Sequence, residues 1–305
     1  MTPSPRSGFL LAIGAYGLWG FLPLYIALTA PTSAVELIGW RILFSVVFGV
    51  LLLVCLRGGV AELRELVRDR RIVVTLGIAG LLVAVNWLLY VTAVTTGHTV
   101  EGALGYFLNP LVSIVLALVV ERERLRPLQW AAVGLAVVAL VVLAVGYGQL
   151  PLIAIGLALS FGLYGLVKKR VGPRVGVVPG LLVETSLIVP IGIGCLVVAA
   201  LTTGITFGAN GPLHTGLLVA SGIVTALPLL LFAAAAKRLT LVEIALMQYL
   251  APSLQFVIGV RVFHEAMPAE RWVGFAIVWA ALVLFTVDLA LENRRRRAAP
   301  SDPPL

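Results

Sequence analysis

The chain has 305 residues, of which 60% are hydrophobic and 12% charged, with a formal net charge of +8. A soluble domain carries roughly 45–50% apolar and ~25% charged residues, so too little polar surface remains to cover a water-soluble fold and the bilayer is the natural solvent. Cys55 and Cys195 both lie inside apolar runs, which argues against a disulfide framework.

Ten apolar runs follow in order. The first five lie at about Gly8–Leu28, Glu36–Leu56, Ile72–Val94, Gly102–Val120 and Leu128–Val145. The second five lie at about Pro151–Val167, Val177–Ala200, Thr215–Ala236, Leu241–Val260 and Trp272–Leu291. Most approach the ~20 residues that cross a ~30 Å hydrocarbon layer. The first run is long for a leader's apolar core and is repeated by the sixth, so it reads as a span and not a cleaved leader.

The repeat is explicit. Glu101, Pro110, Glu123 and Trp130 recur as Glu243, Pro252, Glu265 and Trp272, each 142 residues later. Ala12-Ile13-Gly14 and Gly20 recur as Ala154-Ile155-Gly156 and Gly162 at the same offset. A constant offset at both ends of each half marks a duplicated unit. The expected division is residues 1–146, a second unit at 147–291 and a basic tail at 292–305.

With the N-terminus on the cytoplasmic side and spans alternating, the inner segments hold nineteen of the twenty-two Lys and Arg residues. Only Arg261 and Arg271 fall outside, and Arg41 lies within a span. That asymmetry satisfies the positive-inside rule and supports ten spans with both termini cytoplasmic. It also accounts for the net charge as topology determinants facing anionic lipid, not as a nucleic-acid patch. Five spans per unit is an odd number, so the second unit enters the membrane inverted. Inverted repeats characterise secondary transporters, whose solute sites lie near the midplane between the halves. The expected fold is therefore an all-α, multi-pass bacterial inner-membrane protein of ten helices.

The duplicated five-span unit, together with EGALGYFLNPL, LMQYLAPSLQF and FHEAMPAERWVG, resembles EamA-domain proteins of the drug/metabolite transporter superfamily. Asn86-Trp87, HTVEGALGYFLNP and Thr225-Ala226-Leu227-Pro228 resemble its RarD-type branch. The resemblance covers nearly the whole chain. It implies transport of small metabolites, often export, without naming a substrate.

Ionisable and polar groups inside hydrocarbon cost a few kcal/mol, so they are the candidate solute site. Arg41 enters the second span from outside and Glu184 the seventh from inside, so the two charges approach the midplane from opposite faces. A zwitterionic or polar solute, or water, could bridge them; the alternative is that each snorkels or pairs locally, Arg41 with Glu36 five residues back. Asn86, Trp87 and Tyr90 form a polar-aromatic face of the third span, with Trp87 alternatively facing lipid. Tyr106 and Asn109 in the fourth span, and Gln248 and Tyr249 in the ninth, flank Pro110 and Pro252. A proline frees a carbonyl there and kinks the helix, making these two helices candidate cavity walls. Glu101 is a candidate for proton coupling or a helix-start charge. Thr240 and Glu243 fit a capping box. Gly14, Gly17, Gly20, Gly156 and Gly162 fit close helix packing.

No G-x-x-x-x-G-K-[ST] phosphate loop occurs, which argues against a primary pump. His98, His214 and His264 fall at the outer surface without metal-ligand spacing. The expectation is a secondary, non-enzymatic exporter of amino acids or related polar compounds and drugs, needing no cofactor or metal. Its partners would be a small solute and lipid. A non-transporting scaffold or sensor is the alternative.

Overall fold

The computed structural model describes residues 5–298 except 57, 121, 123, 124, 149, 172, 173, 237 and 240. Arg57, Glu123, Arg124, Lys237 and Thr240, singled out above, fall outside the described residues. The described residues form fourteen helices and no strand. Eight spans are continuous enough and apolar enough to cross a membrane. They are α1 with α2 (Pro5–Gly20, Leu22–Leu28), α3 (Ala34–Cys55), α5 (Arg70–Thr95), α6 (Thr99–Val120), α7 (Pro127–Tyr147), α8 (Leu152–Val171), α11 (Gly211–Ala236) and α14 (Ala269–Ala298).

The remaining two runs are broken, and proline explains both. α9 (Val177–Leu187) and α10 (Val189–Thr202) meet at a 47° bend. Pro190 has no N–H to give to the Ser186 carbonyl, so the ladder fails there. The run expected at Leu241–Val260 is two short helices, α12 (Leu241–Met247) and α13 (Leu250–Arg261). Pro252 likewise leaves the Gln248 carbonyl without its i+4 donor, and the chain turns at Gln248–Tyr249. Pro110, by contrast, sits inside an unbroken α6, so the two proline helices do not share one geometry.

Two other features depart from the sequence expectation. Residues Gly59–Arg68, read as an inner loop, form the amphipathic helix α4. It turns Leu63 and Leu66 inward and leaves Val60, Arg64 and Val67 exposed. The Glu62 carboxylate accepts a hydrogen bond from the Gly176 N–H at 2.8 Å, fastening α4 to the start of α9. At the other end of the chain, α14 carries its helix through Arg294–Arg297 instead of releasing them as a tail.

Packing follows a reciprocal pattern. α1 lies against α11 and α13, as α8 lies against α5 and α6, while α7 and α14 pair with each other. Glycines set the close approaches. A Cβ on Gly156 would crowd Leu89 at 2.8 Å, whereas one on Gly14 would make only ordinary contact with Leu231 at 3.4 Å. A Cβ on Gly20 would lie 2.5 Å from Leu254, and one on Gly162 would lie 2.9 Å from Val112. Each pair is the other shifted by 142 residues. Gly17 meets nothing and is not a packing glycine. Phe107, Phe256 and Phe275 centre the largest apolar cluster, between α6, α7, α13 and α14. A second cluster joins α2, α3, α5 and α11.

Candidate functional site

Two helices bring a guanidinium into the interior. Gly222 lets α11 press against α3, since a Cβ there would lie 2.2 Å from the Phe44 carbonyl oxygen. This approach sets Thr225 beside Arg41. Arg41 is 6% exposed, and its Nε donates to Thr225 Oγ1 at 2.9 Å. Its guanidinium carbon stands 4.6 Å from the Trp87 ring centroid, within cation–π range. Among the described residues no carboxylate comes within salt-bridge distance of it. Glu36, the local partner considered from sequence, is engaged elsewhere, as shown below.

Around this cation α5, α6 and α8 form a polar-aromatic wall. The Asn86 amide donates to the Leu157 carbonyl at 3.1 Å and to Ser160 Oγ at 3.0 Å. Its carbonyl accepts from the Tyr106 hydroxyl at 3.0 Å. Asn86 therefore has both ends satisfied and holds Tyr106 in place. The rings of Tyr90, Tyr106, Phe161 and Tyr164 follow one another at 5.3, 6.0 and 5.6 Å. Across from them Tyr16, Trp19 and Phe232 form a second aromatic group on α1 and α11. Tyr90 Oη, Asn109 Oδ1 and Gln255 Oε1 are buried with no hydrogen-bond partner.

These walls enclose a cavity of about 470 Å³, within the size range of small-molecule sites. Its charged lining consists of Arg41, Lys168 and Glu184. Glu184 is 2% exposed and pairs with Lys168 Nζ at 2.7 Å. Tyr164 stands beside the pair, its ring 5.8 Å from the same ammonium. The lining continues past Lys168 to Val171, Val175, Gly176 and Val177, where α8 ends and α9 begins. The cavity thus reaches that end of the bundle.

The opposite end is closed by polar clamps. Glu36, fully buried, accepts from the Thr206 and Phe207 N–H groups at 2.8 and 3.2 Å, from Thr206 Oγ1 at 3.0 Å and from Trp40 Nε1 at 3.1 Å. His214, also buried, has Nε2 3.0 Å from the Thr29 carbonyl and 2.9 Å from Thr32 Oγ1. Glu101 accepts from the Ile153 and Ala154 N–H groups at 2.9 and 3.3 Å, capping α8. Glu265 does the same for α6, taking the Thr99 and Val100 N–H groups at 2.5 and 2.9 Å. A carboxylate at a helix start satisfies free donors and the helix dipole together.

Eight of the residues singled out from sequence line the cavity: Arg41, Asn86, Trp87, Tyr90, Tyr106, Asn109, Glu184 and Gln248. Tyr249 is not among the lining residues; the turn between α12 and α13 directs it against the α6–α7–α13–α14 cluster. Glu101 is also outside the lining, its carboxylate occupied by α8. Glu184 is paired locally, with Lys168, the alternative to a solute contact that its depth left open. Phe161, Tyr164 and Lys168 were not selected from sequence. Their i, i+3, i+7 spacing on α8 was the available signal, hidden because Lys168 looked like part of a basic inner segment. Among the described residues no three His, Cys, Asp or Glu side chains come together.

Residues 6–145 match the EamA-like transporter family. Protein RarD of Streptomyces exfoliatus is 46% identical over 96% of this chain and 92% of its own length. A Bacillus subtilis protein named uncharacterized transporter YojE is 39% identical over 97% of this chain and 98% of its own. A solved crystal structure superimposes with a TM-score of 0.61 at 21% identity, over 93% of this chain and 98% of that one, so the fold itself is shared. Near-complete coverage at such identity, on an all-helical multi-pass architecture, is decisive: the chain belongs to the EamA-like transporter family of the drug/metabolite transporter superfamily, in its RarD-like branch.

Proposed function

We propose that the protein is a secondary transporter of small metabolites in the bacterial inner membrane, working by alternating access around the Arg41–Glu184 cavity. The observation that carries this reading is the cavity's shape. It holds buried charges deep between α3, α5, α8 and α11, extends to the α8–α9 end, and is clamped at the other.

In this reading α12 and α13 together make one span and α9 and α10 another, giving ten spans as two inverted halves, residues 1–146 and 147–291. The reciprocal glycine contacts support it: Gly20 with Leu254 and Gly162 with Val112 are the same contact made by opposite halves. The positive-inside asymmetry sets both termini in the cytoplasm, and the open end is then cytoplasmic, as an exporter requires for loading. Exchanging the conformations of the two halves would close that end and open the other. Solute would contact Arg41, Asn86, Trp87, Tyr90, Tyr106, Asn109, Glu184 and Gln248.

Counterflow in proteoliposomes tests the reading, with labelled amino acids and small polar metabolites assayed with and without a pH gradient. Saturable exchange that Arg41→Ala or Glu184→Ala abolishes in folded protein supports it. Exchange indifferent to both substitutions moves the site elsewhere. A broad panel that never exchanges favours a scaffold or sensor.

A further inference from the structure

We propose that the cavity selects organic monoanions, a carboxylate on an apolar and partly aromatic body, over neutral, cationic or zwitterionic solutes. The inference rests on the cavity being the solute site.

The charge balance is the first argument. Two cations and one carboxylate line the cavity, and Lys168 and Glu184 neutralise each other at 2.7 Å. Arg41, 6% exposed, is left without a carboxylate partner among the described residues. An unpaired buried cation is costly, and an anion that enters with its own apolar body relieves that cost. A zwitterion has no such advantage, because its ammonium would have to displace Lys168 from Glu184.

The second argument is orientation. Nε of Arg41 is engaged by Thr225, which fixes the guanidinium plane. The hydrogen bond to Thr225 is its sole one among the described residues, so both terminal nitrogens remain as a two-pronged donor. That fork matches a carboxylate in bidentate geometry. The single excess charge favours a monoanion over a dianionic phosphate group. Trp87 covers one face of the guanidinium at 4.6 Å and limits its hydration.

The third argument is the body of the site. The Tyr90–Tyr106–Phe161–Tyr164 ladder and the Tyr16–Trp19–Phe232 group present ring faces and edges from two sides. Such walls reward a flat apolar body. The orphaned Tyr90 hydroxyl, and the Asn109 and Gln255 carbonyl oxygens, offer a few polar contacts that set register.

The test uses the full purified chain in detergent and four probes sharing one body: phenylpropionate, its amide, phenylpropylamine and phenylalanine, with phenylethylphosphonate, assayed also above its second ionisation, as a dianionic comparison. Binding is read by tryptophan fluorescence, since Trp19 and Trp87 line the cavity, and by thermal shift. Phenylpropionate should bind saturably and the amide, amine, phenylalanine and phosphonate more weakly. Arg41→Gln should weaken phenylpropionate about tenfold or more, roughly 1.4 kcal/mol. Equal or tighter binding of the amide, amine, phenylalanine or phosphonate, binding indifferent to Arg41→Gln, or no binding by any probe overturns the inference. If Arg41→Gln fails to fold, the probe series on the unsubstituted protein decides alone. Arg41-dependent binding without counterflow leaves the anion site standing and removes the transporter reading. Counterflow of solutes with no preference for anions does the reverse.

Discussion

The clamped end and the cavity use the same kind of expensive residue in opposite ways. Glu36 and Glu101 are carboxylates buried in an apolar bundle, and every charge-bearing oxygen described at Glu36 is met by protein donors. Arg41 is equally buried, yet it receives one hydroxyl and one aromatic face. A charge satisfied by the fold stabilises the fold. A charge that the fold supports but does not neutralise is free to act on something else. Depth in the membrane therefore identifies candidates, and the identity of each partner decides between structure and function.

Substitutions should break this contrast in a graded way. Gly222→Ala drives a methyl into the Phe44 carbonyl where α11 meets α3. It should destabilise by at least about 3 kcal/mol, seen as poor accumulation and a much lower melting temperature in detergent. Glu36→Ala orphans the donors of Thr206, Phe207 and Trp40 and should cost about 2–3 kcal/mol. It should also raise labelling of a cysteine placed at Thr206, because the clamp opens. Glu101→Ala removes two capping bonds from α8 and should cost about 1–2 kcal/mol. Arg41→Gln should change stability by less than about 1 kcal/mol, or raise it, since the lost charge had little compensation. The same variant should abolish counterflow. A large loss of stability in Arg41→Gln would make Arg41 structural and erase the contrast. Unaltered stability in Glu36→Ala would erase it from the other side.

Much of the fold was legible because hydrocarbon imposes a one-dimensional code. Apolar length marks spans, and eight of the ten expected runs are helices long enough and apolar enough to cross a membrane. The offset of 142 residues also anticipated pairs such as Gly14 and Gly156, whose contacts with Leu231 and Leu89 repeat at the same offset. The helix α4 was missed because a ten-residue amphipathic segment among arginines looks like a loop when only long apolar runs are sought. Tyr249 was placed with Gln248 because both flank Pro252. The Pro252 break separates their directions, and a break of that kind depends on whether neighbours re-satisfy the freed carbonyl. Pro110 leaves α6 unbroken, so proline alone does not foretell it.

What the sequence determined by itself is an all-helical, multi-pass chain, the eight continuous spans, the 142-residue spacing of its recurring residues and the short roster of polar residues that lie deep. Each of these depends on composition or spacing along one chain. What the tertiary structure alone decided is who satisfies whom. Lys168 reaches Glu184 from α8, Thr225 reaches Arg41 from α11, and Glu101 caps a helix through Ile153, 52 residues on. Those pairings depend on the rotation and separation of helices distant in sequence, which packing against small residues such as Gly222 sets. Hydropathy carries no record of that geometry, and the difference between a clamp and a binding site lies within it.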